Sequence, residues 1–160
     1  LFPMERIFED FVASEIRKYS GTVSVSTQGK SNTKYLVKQG TENKFKLKPD
    51  IILEKEIDNI FSIVDTKWKV LESSKSNFGI SISDMYQLFA YGKKYSYNLS
   101  HPRLLLLYPK TEKFQQCLEQ YDYDNLLLNV FPYDLTLRDR KAKQQIEEII
   151  QMSETIKIAS

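Results

Sequence analysis

Pro49-Asp50-Ile51-Ile52-Leu53, followed by Ile63-Val64-Asp65-Thr66-Lys67-Trp68, decides how this chain is built. Both stretches are apolar runs of strand length with an acid at one end. They predict two strands, Lys46–Glu54 and Ile60–Val70, joined by a turn at Lys55–Asn59. Asp50 heads the first run and Asp65 closes the second, so strands paired side by side bring the two carboxylates together. Side chains alternate across a strand, which puts Asp65 and Lys67 on one face, ~7 Å apart along the backbone. Trp68 alternates away from them and reads as a core residue.

The elements outward from this pair follow from periodicity. Met4, Ile7, Phe8, Phe11, Val12, Ile16 and Tyr19 recur at helical spacing, with Pro3 in a tolerated first-turn position and Gly21 as the stop. Thr22–Gln28 alternates like a strand, Tyr35–Val37 opens another, and Gly40–Lys44 is polar. Downstream, Glu72–Asn77 is a Ser- and Lys-rich loop without periodicity. Ser83 is the expected N-cap of a helix carrying Met85, Leu88, Phe89 and Tyr95, with Asp84 in its first turn. Arg103–Tyr108 and Leu126–Phe131 are short apolar runs closed by Pro109 and Pro132, as expected of strands buried on both faces. A last amphipathic helix with a basic first half carries Ile146, Ile149, Ile150 and Ile156. The order predicts an α/β fold with a mixed central sheet flanked by helices, in one layered domain over residues 1–160.

Composition narrows the function classes. With 41% hydrophobic and 28% charged residues the chain has the make-up of a globular protein, not a disordered one. No apolar run approaches the ~18 residues of a membrane-spanning helix. The single Cys117 forms no internal disulfide, which suits a reducing cytoplasm. The chain opens on Leu1 without a signal-like segment or an initiator Met, as expected of a piece of a longer protein. A net charge of +2 does not itself announce a nucleic-acid binder, although lysines cluster at Lys44–Lys48, Lys67 and Lys69, Lys93 and Lys94, and Arg138–Lys143.

Two carboxylates a few ångström apart repel unless a divalent cation lies between them. Mg²⁺ takes oxygen ligands and keeps several waters, so Asp50, Asp65 and the Thr66 carbonyl form a plausible ligand set, with Mn²⁺ expected to substitute. Lys67 would bind a scissile phosphate, or position and deprotonate the attacking water. Gln87 and Tyr91 lie one helical turn apart and would contact a phosphate or orient Lys67. Lys69 is expected on the Lys67 face and Lys93 and Lys94 just past Tyr91, as DNA-phosphate contacts. His101 has no second His or Cys nearby, which argues against zinc. No glycine-rich phosphate loop is present.

Asp50, Asp65-x-Lys67 and Gln87-x-x-x-Tyr91, in this order on strand, strand and helix, resemble the PD-(D/E)XK nucleases, particularly their RecB-like branch. Four blocks resemble the McrC nuclease family, related to LlaJI-type restriction subunits: Phe2–Val12, Pro49–Leu53, Asp65–Lys69 and Asp84–Tyr91. That resemblance implies a restriction-endonuclease-like fold, Mg²⁺-dependent DNA cleavage, and a first-helix acid holding a second metal or a metal-bound water. Glu9 is preferred for that acid, although helical geometry does not separate it from Glu5. It also implies a McrB-like AAA+ GTPase partner, contacted through a region absent from this chain, and a pairing of two copies for double-strand cutting. The alternatives are a RecB-like nuclease of a repair machine and a DNA-binding or assembly module that has lost turnover.

Overall fold

A sheet of nearly continuous apolar strands must be covered on both faces, and this chain supplies helices for each. The computed structural model describes residues 3–30, 32–97 and 100–157; Phe2, which opens the first resembling block, lies outside them. The elements are α1 (Pro3–Tyr19), β1 (Ser24–Thr27), β2 (Tyr35–Gln39), β3 (Glu42–Lys46), β4 (Ile51–Lys55), β5 (Ile60–Thr66), α2 (Ile82–Lys94), β6 (Ser100–His101), β7 (Arg103–Pro109), β8 (Tyr121–Tyr123), β9 (Leu126–Tyr133), α3 (Asp139–Gln151) and β10 (Ile156–Lys157).

Six strands form the central sheet in the order β1-β4-β5-β7-β9-β8. β1, β4 and β5 are antiparallel neighbours, β5, β7 and β9 run parallel, and β8 returns antiparallel to β9. Parallel neighbours need a crossover, and α2 provides it between β5 and β7. Period-two alternation then sorts the core. Leu105 and Leu107 join Leu53, Val64 and Tyr133 under α1 and α3, against Phe8, Val12, Ile16, Ile146 and Ile149. Leu104, Leu106 and Tyr108 join Ile52, Ile63 and Leu128 on the opposite face, against Leu88 and Tyr91 of α2. This mixed sheet flanked by helices is the restriction-endonuclease-like architecture expected from the sequence.

Several local expectations are corrected. Lys46–Glu54 is not one strand: β3 ends at Lys46, β4 begins at Ile51, and Pro49, lacking an N–H, sits in the break. β5 stops at Thr66 rather than Val70, so strand parity does not carry as far as Lys69. Gly40–Lys44 turns a hairpin and starts β3. The α2 cap is Ser81, whose hydroxyl accepts from the Ser83 amide at 3.1 Å. Within Glu72–Asn77, Glu72 pairs with Lys75 and Lys113, and a 3₁₀ turn starts at Ser76. Pro132 does not end β9, which runs to Tyr133. The Val130 carbonyl on the same strand side accepts from Leu118 beyond the β7 ladder, so the missing Pro132 N–H faces that outer side. Ile156 lies in β10 paired to β6, not in α3. Trp68 is 38% exposed and packs on Phe8 at the rim, with ring centroids 5.6 Å apart.

Gly29 sets the corner between β1 and the hairpin β2–β3. Its φ is +61°, and a Cβ there would stand 2.6 Å from the Leu47 carbonyl oxygen. Gly40, at φ +63°, has open space around the same position. An L-residue in the left-handed region costs about 1–2 kcal/mol. We therefore expect Gly29→Ala to lose that amount plus at least about 1 kcal/mol for the steric clash, and Gly40→Ala to lose the first part alone. Urea unfolding midpoints compare the two; equal losses would show that the Leu47 contact does not constrain this corner.

Candidate active site

Strand register places the polar cluster. Ile51 stands opposite both Thr27 of β1 and Val64 of β5, so the next positions along the strands bring Gln28, Asp50 and Asp65 abreast across three strands. The same row continues as Leu106 in β7 and Val130 in β9. One half of the row is thus polar and the other half buried hydrocarbon. The Gln28 amide donates to the Asp50 carbonyl at 3.1 Å, closing the row at the sheet edge.

Asp50 is held by β5. Its Oδ2 accepts from the Thr66 amide at 2.9 Å and the Thr66 hydroxyl at 3.1 Å. Its Oδ1 accepts from Gln28 Nε2 at 3.5 Å, and the same amide nitrogen donates to Glu9 Oε1. Gln28 holds this bridging position with φ at +54°, in the left-handed region that non-glycine residues seldom occupy. Glu9 is buried, whereas Glu5 is half-buried. The two helical candidates are thereby separated: Glu9 reaches the rim, through Gln28 rather than directly onto the aspartate pair.

Asp65 is buried, and its Oδ2 receives no directed hydrogen bond, although Lys67 Nζ stands 3.1 Å away as an ion-pair contact. Burial, and then the charge of Asp50, hold the Asp65 carboxyl well above the ordinary aspartate range despite Lys67. Burial and Asp50 likewise raise Glu9. Burial opposes the charge on Lys67, but Asp65, Asp84 and Asp50 together outweigh it and hold the ammonium above the ordinary lysine range. Asp84 contacts Lys67 Nζ at 3.4 Å from the first turn of α2.

The chemistry of the donor set fits a divalent cation. Burial and then the charge of Asp50 disfavour a second carboxylate at Asp65, whose buried Oδ2 has only the Lys67 ammonium beside it, and a divalent cation would offset that charge. Among the described residues no three His, Cys, Asp or Glu side chains are grouped so that they could hold a metal ion by themselves. Mg²⁺ does not require such a group, because it binds through one or two carboxylates, waters and substrate phosphate. The Lys67 amide donates to Leu107 in β7. In a trans peptide the preceding carbonyl points the opposite way, so the Thr66 carbonyl faces the Asp50 side.

The remaining sequence candidates divide. Tyr91 is buried in the α2 core; burial first, then Asp65 and Asp50, push its hydroxyl above the ordinary tyrosine range. Gln87 is exposed and makes no side-chain hydrogen bond among the described residues. Lys69 Nζ donates to the Gly79 carbonyl. Lys93 lies over the Phe89 ring, 5.5 Å from its centroid, and Lys94 is exposed beside it in the last turn of α2. His101 Nδ1 is hydrogen-bonded to the Ser96 hydroxyl, a local role. Sequence reasoning passed over Gln28 and Asp84 as site residues. Asp84 was findable, three residues before Gln87 and seven before Tyr91 on the same helix face. Gln28 was not, since only the β1–β4 register brings it to Asp50.

Comparison with known proteins fits this geometry. A family model described as "McrBC 5-methylcytosine restriction system component" matches residues 1–109. The chain belongs to this McrBC family. The match takes in α1, the row Gln28–Asp50–Asp65, Lys67, α2 and β7. A solved structure of Thermococcus gammatolerans McrB AAA+ hexamers with bound McrC contains a chain of similar fold, with a TM-score of 0.65 at 14% identity. The match covers 92% of this chain and 33% of that one, so this chain spans about a third of its length. A search of curated proteins gave no match. Among the described residues no helix is long and apolar enough to cross a membrane.

The raised Asp65 carboxyl makes a stability prediction for this McrBC-family chain. The folded state holds that proton more tightly than the unfolded state. The resulting penalty is absent below the ordinary value of 3.8 and grows as pH rises through the folded value. Asp65→Asn, which mimics the neutral form, should therefore stabilise the metal-free protein at neutral pH. That gain should shrink toward zero in acid. Denaturant unfolding at neutral and acid pH checks it; a less stable Asn variant at neutral pH would contradict it.

Proposed function

We propose that this chain is the nuclease part of a McrC-type restriction subunit, hydrolysing DNA phosphodiester bonds in a Mg²⁺-dependent reaction. The observation that carries this reading is the opposed Asp50–Asp65 pair, with Lys67 on the same face, in a McrBC-family fold.

Asp50, Asp65 and the Thr66 carbonyl would hold Mg²⁺, with Glu9 behind Gln28 as the further acid. The bound ion would neutralise charge on the reacting phosphate and lower the pKa of the attacking water. Lys67, held charged by Asp65 and Asp84, stabilises the charge that builds on the phosphoryl oxygens. An ammonium held above its ordinary range is a poor general base, so this arrangement favours electrostatic stabilisation over water deprotonation by Lys67. Asp84 is a positioning residue that aims Lys67. Tyr91 packs beneath the aspartates and keeps that wall dry. Gln87, exposed one turn before Tyr91, is available to a backbone phosphate, as are Lys93 and Lys94.

The partner follows from the family and from the Thermococcus assembly, in which McrB AAA+ hexamers carry bound McrC. We assign this subunit a McrB-like AAA+ GTPase, engaged through a part of the subunit outside these residues. Cutting both DNA strands then requires two copies of the site.

The test uses the full subunit with its AAA+ partner. Lys67→Met should lower plasmid cleavage by at least about 100-fold, and Asp84→Asn by roughly ten-fold. Both should leave partner assembly and GTP hydrolysis intact. Cleavage by Lys67→Met at near the wild-type rate would remove Lys67 from the chemistry and with it this reading of the site.

A further inference from the structure

The hairpin β2–β3 stands apart from the central sheet as its own two-stranded unit. Its register pairs Tyr35 with Lys46, Val37 with Lys44 and Gln39 with Glu42, and every residue of β2 is exposed. A two-stranded hairpin with nearly all of its residues exposed is marginal on its own, which argues for an occupant. Its root is firm, because Leu47 is buried in the α2-side core and donates to the Lys34 carbonyl at 2.9 Å. The hairpin spans the chain between Gly29 and Asp50, so its root joins directly to the strand head that carries Asp50.

Charge identifies the occupant. Residues 30–48 carry Lys30, Lys34, Lys38, Lys44, Lys46 and Lys48 against the single acid Glu42, a net +5. The whole chain is only +2, so the remaining residues sum to −3. The positive charge is therefore concentrated in this arm. Apolar side chains are interleaved with it: Leu36 and Val37 are exposed, and Phe45 is 74% exposed. Phe45 is also held at φ +60°, an outlier for an aromatic residue. A strained, solvent-exposed aromatic between lysines is expected at a contact surface rather than in a purely structural hairpin. A two-stranded ribbon fits the major groove, ~12 Å wide.

We propose that the β2–β3 hairpin is a DNA-gripping arm that binds duplex phosphates with Lys38, Lys44 and Lys46 and makes an apolar contact through Phe45 beside the cleavage site. This proposal rests on the nuclease reading above. The arm supplies the affinity that the net-negative remainder of the chain lacks, and it couples DNA position to Asp50 through the short Leu47–Pro49 link.

The experiment measures binding of a fluorescein-labelled DNA duplex by anisotropy across a salt series. It uses the full subunit carrying Asp65→Asn to prevent cleavage. Lys38→Gln/Lys44→Gln/Lys46→Gln should weaken binding at least ten-fold at low salt and reduce the slope of log K against log salt by about 2 to 3. Phe45→Asn suits the positive φ, so it should fold at least as stably and still bind several-fold more weakly. Parent-like affinity and slope in both variants would overturn the arm and leave the nuclease reading standing. A parent subunit that does not bind the duplex at all would overturn both. Loss of AAA+ partner assembly with unchanged DNA affinity would make the hairpin a protein-docking surface and overturn the proposal.

Discussion

Thr66 donates its amide and its hydroxyl to one oxygen of Asp50, and the rest of the site depends on that pair of hydrogen bonds. They fix the head of β4 against the end of β5 and so set half-buried Asp50 abreast of buried Asp65. Left alone, that arrangement is unfavourable: burial first, and then the charge of Asp50, raise the Asp65 carboxyl. Leu106 and Val130 continue the row as hydrocarbon, and α1, α2 and α3 close both faces of the sheet. A one-residue slip between β4 and β5 would turn Asp50 to the other face and dissolve the site.

The charges at the rim form a graded arrangement. Lys67 sits between Asp65 and Asp84 and stays protonated, so it offers a fixed positive charge and not a titrating base. Gln28 links Glu9 to Asp50 through one amide nitrogen, which keeps the two acids from facing each other directly. Glu9 of α1, Asp50 and Asp65 of the β4–β5 hairpin and Asp84 of α2 supply the acids of the rim. The site is thus sensitive to how the two layers are mounted on the sheet, and not to β5 alone.

Much of this was legible before any coordinates. The apolar runs at Ile51–Leu53 and Ile63–Val64 read as paired strands, and strand parity put Asp65 with Lys67 although β5 itself stops at Thr66. Helical spacing found α1, and Leu104–Leu107 announced a strand buried on both faces. The failures have physical reasons. Pro49 breaks a stretch whose hydropathy reads as continuous, and Pro132 is tolerated because its missing donor faces away from the ladder. Ile156 fits a helical period but follows the end of α3 and pairs in β10. Gln28 and the hairpin arm could not be read locally, since each acquires meaning only from register or from what the fold leaves uncovered.

The central claim is that Asp50 and Asp65 together bind a divalent cation, and Mn²⁺ provides the direct measure of it. Titrating the full subunit with Mn²⁺ and following the free-ion electron paramagnetic resonance signal counts bound metal without requiring cleavage. The account predicts saturable Mn²⁺ uptake by the wild-type protein that competes with Mg²⁺, and its loss in Asp50→Asn and in Asp65→Asn. Undiminished Mn²⁺ uptake by both variants, or no uptake by the wild-type protein, would contradict it.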